Sequence, residues 1–163
     1  MPEALQKTGE LMNAGALIEV KVASTDAEIL SCFPAMKVLR PHLKDAHELL
    51  LRARRQMREY GWRLIYVEEQ GAVVGCASFR ITEFLAWGKT IYVDDLVVLE
   101  SHRGKGFADA LMQWIKEAGE TSGCSEMHLD SGTARLAAHR FYHRIGFSIP
   151  AFHFAQKLGV QRD

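Results

Sequence analysis

The chain of 163 residues has little of what would place it outside the ordinary globular class. Its three cysteines, Cys32, Cys76 and Cys124, include no CxxC pair. An odd, sparse set of this kind argues against a secreted disulfide framework and reads as reduced, mostly buried thiols. No stretch approaches the roughly 18 apolar residues of a membrane helix. The opening Met1–Gly15 mixes charge and polarity where a signal peptide needs an apolar run, so a cytoplasmic protein without a membrane partner is expected. Nor is there an excess of either charge: twenty basic residues balance twenty acidic ones. No global field therefore favours nucleic acid, an anionic membrane or a polycationic substrate, and any charge selectivity has to be local.

Repeats, linkers and low-complexity tracts are also missing, and the length fits one domain better than two. The reading is a loosely attached leader over residues 1–15, helical in part, followed by one domain over 16–163. Ala16–Ala23 alternates apolar and polar residues as a strand does. Ser24, Thr25 and Asp26 are cap-type residues opening a helix to about Leu39, which Pro34 should kink or split. Asp45–Tyr60 is an amphipathic helix stopped by Gly61. Trp62–Glu68 and Ala72–Ile81 read as a hairpin, and Thr90–Leu99, rich in Ile, Tyr and Val, as a central strand. A helix to about Thr121, a short strand Glu126–Asp130, a helix over about Thr133–Ile145 and one or two closing strands within Phe147–Leu158 complete the order. Such alternation implies a mixed α/β fold, with one mixed sheet and helices on both faces.

The informative stretch runs from Tyr92 to Phe147. Arg103-Gly104-Lys105-Gly106-Phe107-Ala108 lies directly between a strand and a helix. Glycines let the backbone approach a ligand closely, and helix-start N–H groups favour an anion, with Arg103 and Lys105 as added cations. The turn lacks the spacing of a Walker A loop, and Asp109 stands where a dinucleotide fingerprint wants its third glycine. On glycines alone it is either a diphosphate cradle or a tight turn with no ligand.

Context separates these two. Arg103-x-x-Gly106-x-Ala108 after a Val/Leu strand resembles the pyrophosphate loop of the GNAT acetyltransferase superfamily, R/Q-x-x-G-x-G/A. Downstream, Ala138-His139-Arg140-Phe141-Tyr142-His143-Arg144-Ile145-Gly146-Phe147 resembles that superfamily's A-x-x-F-Y-x-x-x-G-F helix. The ending Ala138–Leu158 is most similar to aminoalkylphosphonate and related small-amine N-acetyltransferases. The resemblance implies a largely antiparallel sheet, splayed between the fourth and fifth strands counted from Ala16, Thr90–Leu99 and Glu126–Asp130. It further implies acetyl-CoA as acyl donor, a small-molecule amine as acceptor, direct transfer in a ternary complex, no metal, and a homodimer as a plausible state. In the splay the amide-bearing pantetheine arm would pair with backbone groups of Val97, Val98 and Leu99 as an added strand. The turn Arg103, Gly104, Lys105, Gly106, Phe107 and Ala108 would hold the diphosphate, and Ala138 of the second motif would also contact the cofactor. An asparagine that many relatives carry seven residues before the tyrosine is Arg135 here, able to contact a phosphate instead.

For catalysis, the resemblance places Tyr142 near the sulfur, as the acid that protonates the departing thiolate. Successive strand residues face opposite ways, so Asp94 and Asp95 are expected to differ in role. Asp94 is favoured as the base by resemblance, Asp95 is held in reserve, and Glu83 is a third choice. Arg40 and His42, in the break after the first helices, are candidate acceptor contacts, Arg40 for an anionic group. His139 and His143 have zinc spacing, but the Glu of HExxH is missing and no third ligand is evident. Cys124 has no adjacent partner for a ping-pong route. Arg52, Arg54, Arg55 and Arg58, beside Glu48 and Glu59, read as a solvated face. The competing functions are a protein acetyltransferase acting on lysines or N-termini, and a non-catalytic acyl-CoA-binding module.

Overall fold

The computed structural model describes residues 9–13 and 16–159. Contacts divide the chain into two compact units, Met1–Leu129 and Asp130–Asp163.

The first unit is a six-stranded sheet whose spatial order follows the chain. Its strands are β1 (Gly9–Asn13), β2 (Ala16–Val22), β3 (Arg63–Glu69), β4 (Ala72–Phe84), β5 (Gly88–Val98) and β6 (Glu126–Leu129). Neighbours are antiparallel from β1 to β5, and β6 runs parallel to β5. The β1 strand corrects the leader expectation: Gly9–Asn13 pairs with β2 over five residues. Glycine is needed at its start, since a Cβ on Gly9 would sit 2.6 Å from Trp114 Cδ1. Residues 1–8 and 14–15 of that expected leader lie outside the described residues.

Pro34 acts as expected. The predicted long helix is split into α1 (Asp26–Ser31) and α2 (Phe33–Leu39), with Pro34 in the first turn of α2, where a missing N–H is harmless. Thr25 caps α1 through a reciprocal pair with Glu28. α3 (Ala46–Tyr60) begins at the Asp45 cap and ends at Gly61, whose φ of 65° is left-handed. Three arginines of its basic run are paired: Arg52 with Glu48, Arg54 with Asp26, Arg58 with Glu59.

Strand alternation sends side chains to two faces. Leu64, Tyr66, Cys76 and Val97 pack with Ile29, Cys32, Met36, Leu49 and Ala53 of α1–α3. On the other face Phe79 and Ile91 meet α4 (Phe107–Thr121), through Trp114 and Gly119. Helices thus cover both faces, as read. The buried thiol Cys76 is pushed well above its ordinary pKa by a hydrogen bond with Cys32 and by burial, and is inert as a nucleophile.

The second unit holds α5 (Leu136–Arg144). No strand forms among described residues after it. Phe152, Phe154 and Leu158 are exposed there, so the closing strands expected within Phe147–Leu158 are corrected. A strand exists only through a ladder partner, and Pro150 removes a ladder donor from the middle of that run.

Candidate functional site

The site is prepared by an irregularity in β5. Opposite β4, Ser78 pairs with Asp95 and the next residue, Phe79, pairs with Val93, so Asp94 is opposed by no residue of β4. That extra residue is a β-bulge, and it resets the alternation of side chains. Asp94 and Asp95 consequently point to the same face, the one covered by α1–α3. This corrects the expectation that they face opposite ways. Arg80 Nε donates to Asp94 Oδ2 at 2.8 Å while its NH2 group donates to Gln56 Oε1 of α3 at 3.1 Å. Asp95 Oδ1 accepts from Arg40 Nε at 2.7 Å and its Oδ2 from the Ser78 hydroxyl at 2.5 Å.

The two carboxylates are not equivalent. Asp95 is 9% exposed and held through both oxygens, whereas the Asp94 side chain is 24% exposed and has one oxygen held by Arg80. Burial raises the pKa of Asp94 above the ordinary aspartate value. Arg80 chiefly opposes that rise, while Asp95 adds to it and Arg40 counters weakly. A carboxyl with a raised pKa is a better proton acceptor than an ordinary one.

β6 pairs with β5 only from Thr90↔Glu126 to Val93↔Leu129. From Asp94 to Val98, β5 has β4 on one side and no ladder to β6 on the other, so the expected splay begins at the bulge. Val97 is buried against α1–α3, the Val98 side chain approaches Gly75, and the Leu99 N–H donates to Val74 O at 2.8 Å. Their side chains and the β4 side of this segment are committed to packing. The other edge fits an amide-bearing arm laid along it.

Beyond Leu99, a short 3₁₀ turn (Glu100–His102) leads into the glycine turn. Gly104 and Gly106 have φ of 76° and 87°, conformations that disfavour any residue with a Cβ. Gly106 is also the N-cap of α4, and no side chain caps that helix. The arrangement suits a diphosphate whose oxygens accept from the first-turn N–H groups. Phe107 is buried in the core, and Ala108 follows it in the first turn. Lys105 is not an unengaged cation, because its ammonium contacts both oxygens of Glu69 at 3.0 and 2.9 Å, and an incoming phosphate would compete with that carboxylate. Arg103 is 61% exposed and only loosely paired with Glu100, at 3.8 Å.

In the second unit, α5 carries Tyr142 against Phe141 and Phe147, with ring centroids 5.5 and 5.8 Å away. Burial pushes its phenol above the ordinary value, with the positive charge of Arg135 pulling the other way, so it is protonated at neutral pH. Arg135 is the N-cap residue of α5 and exposed, and Ala138 is half-buried on the same helix. His139 and His143 meet backbone carbonyls of Gly132 and Phe147, both at 3.0 Å. Among the described residues no group of three or more His, Cys, Asp or Glu side chains is placed to hold a metal ion.

Two expected site residues are not brought to the bulge. Glu83 is paired with Lys89 at the exposed end of the β4–β5 hairpin. It alternates with Arg80 and faces the α4 side, away from Asp94. His42 is exposed on the loop after α2. Arg40 does reach the bulge, but as a partner of Asp95 and of the Asp94 carbonyl. Sequence reasoning passed over Arg80, Ser78 and Gln56. The available signal was Arg80 itself, a lone charge inside the apolar run of β4, which needs a counter-charge nearby.

A sequence profile described as the Acetyltransferase (GNAT) family matches residues 27–147. The chain is 26% identical over 143 residues to an uncharacterized N-acetyltransferase, YhdJ, of Bacillus subtilis strain 168, a match covering 87% of this chain and 100% of that one. It is 33% identical over 89 residues to an aminoalkylphosphonate N-acetyltransferase of Salmonella typhimurium, spanning 54% of this chain and 58% of the relative. Among solved structures, the aminoglycoside N-acetyltransferase AAC(6')-Iy in complex with CoA aligns with a TM-score of 0.77 at 16% identity, covering 92% of this chain and 100% of the other. That last likeness is one of fold.

Proposed function

The chain belongs to the acetyltransferase (GNAT) family and is an acetyl-CoA-dependent N-acetyltransferase; from that premise we propose that its acceptor is the primary amine of a small molecule, acetylated by direct attack in a ternary complex. The observation that carries the reading is the placement of Asp94. Its carboxylate is half-sheltered and partnered on one side only, at the residue where pairing between β5 and β6 ends.

At neutral pH an alkylamine with a pKa near 10.4 is an ammonium, and freeing its lone pair costs roughly 4–5 kcal/mol. Asp94, directly or through a water, takes that proton as the amine nitrogen attacks the thioester carbonyl carbon. A backbone N–H of β5 donates to the oxygen that gains charge, a contact worth about 3–4 kcal/mol in comparable sites. When the carbon–sulfur bond breaks, Tyr142 gives its phenolic proton to the thiolate, the second proton of the attacking nitrogen passes through water to solvent as the amide forms, and Tyr142 is reprotonated from solvent. Asp95, buried and doubly bonded, keeps the bulge in shape instead of exchanging protons.

The deciding experiment follows thiol release over a panel of primary amines, aminophosphonates, polyamines and peptides. Turnover with a small amine, and initial-rate lines that intersect as both substrates vary, are the expected results. Turnover with peptides alone would replace the acceptor assignment, parallel lines would replace direct transfer, and tight acetyl-CoA binding with no release would replace catalysis by a binding role.

A further inference from the structure

Arg40 is the C-cap residue of α2, and its own N–H closes that helix on Met36 O at 2.7 Å. From this fixed base its guanidinium makes two bonds to consecutive residues of β5. Nε donates to the Asp95 carboxylate at 2.7 Å and an NH2 nitrogen donates to the backbone carbonyl of Asp94 at 3.1 Å. Asp94 is the residue that β4 leaves unopposed. A bulge deprives backbone groups of their ladder bonds, and a sheltered carbonyl must find another donor. The planar fork of arginine supplies two directed donors at once, which a lysine ammonium does not. Asp95 is further fixed by the Ser78 hydroxyl, so three elements, α2, β4 and β5, meet at one carboxylate.

The bulge also lies just past the last β5–β6 pair, so its conformation sets how the open edge Asp94–Val98, still laddered to β4 from Asp95 onward, is aligned. We propose that Arg40 is a positioning residue for acetyl-CoA: by clamping the bulge at Asp94 and Asp95 it pre-aligns the β5 edge along which the pantetheine arm lies. This rests on the reading that the pantetheine amides pair with that edge, and it removes Arg40 from the set of acceptor contacts. A pre-aligned edge raises affinity because the protein loses less freedom on binding.

Calorimetry with two probes tests the clamp. Acetyl-CoA engages both the glycine turn and the β5 edge, whereas ADP engages the turn alone. In Arg40→Met the dissociation constant for acetyl-CoA should rise tenfold or more, that for ADP should stay within twofold, and the KM for the amine should change little. Arg40→Lys should lie between Arg40→Met and the native protein. Unchanged acetyl-CoA affinity in a folded Arg40→Met protein overturns the proposal, as does equal weakening of ADP, or a rise confined to the amine KM. If Arg40→Met does not fold, Ser78→Ala removes the second brace on Asp95; a threefold or greater loss for acetyl-CoA alone is expected, and no loss overturns the proposal. Native protein that bound ADP as tightly as acetyl-CoA would instead sink the edge reading, and the clamp with it.

Discussion

The two halves of β5 share one strand and do opposite things. Gly88–Val93 is flanked by β4 along its length, and by β6 from Thr90 onward. Its Thr90, Ile91 and Val93 are buried. Asp94–Val98 keeps β4 alone, begins with a bulge and carries two carboxylates tied to two guanidinium groups. A strand paired on both sides contributes to the core, while one left open on a side offers backbone groups to a ligand. One extra residue separates these behaviours. Stability and chemistry therefore ought to be separable by mutation along a single strand.

The largest effect is expected in the closed half. Ile91 is 1% exposed, and Ile91→Ala should destabilise the protein by about 2–5 kcal/mol, read by denaturant unfolding, with the KM for acetyl-CoA unchanged in the folded fraction. A large KM change with little loss of stability would erase the contrast between the halves.

Next comes the helix that neither half contains. Tyr142→Phe keeps the ring packing against Phe141 and Phe147 and removes only the proton, so kcat should fall about 10²-fold while calorimetric acetyl-CoA affinity holds. Unchanged turnover would take Tyr142 out of the reaction and leave the open half of β5 to account for both proton transfers.

The smallest of the three effects sharpens the open half. Asp94→Asn should lower kcat/KM by about 10-fold at neutral pH and abolish an acidic limb. In the native protein kcat/KM should rise with pH through the Asp94 pKa, which burial sets above the ordinary aspartate value. The linkage has a defined sign. A carboxyl whose folded pKa is raised holds its proton more firmly when folded. Its contribution to stability is thus complete below the unfolded pKa and declines as the pH rises through the folded one. An acidic limb that survives in Asp94→Asn would transfer the base role elsewhere.

Much of this was legible from local chemistry. The Thr25 cap, Pro34 at the start of α2, the Asp45 cap and Gly61 stop of α3, and Gly106 opening α4 each act on neighbours within a few residues. The glycine turn and the tyrosine helix were legible for the same reason, since each motif is contiguous. Cys32 and Cys76 are buried as read, while Cys124 is only partly so.

What sequence alone determined, then, were the segments whose hydrogen bonds close on themselves: helices, caps, the β3–β4 hairpin and the glycine turn before α4. Only the tertiary structure decided which backbone groups meet across the sheet. It turned Gly9–Asn13 into a strand, left the residues after α5 without one, and inserted Asp94 as a bulge so that two neighbouring aspartates share a face. It also assigned Arg40 and Arg80 to those aspartates rather than to solvent. The physical reason is that register and ion-pair partners depend on residues tens of positions apart, and strand periodicity remains valid only until a bulge resets it.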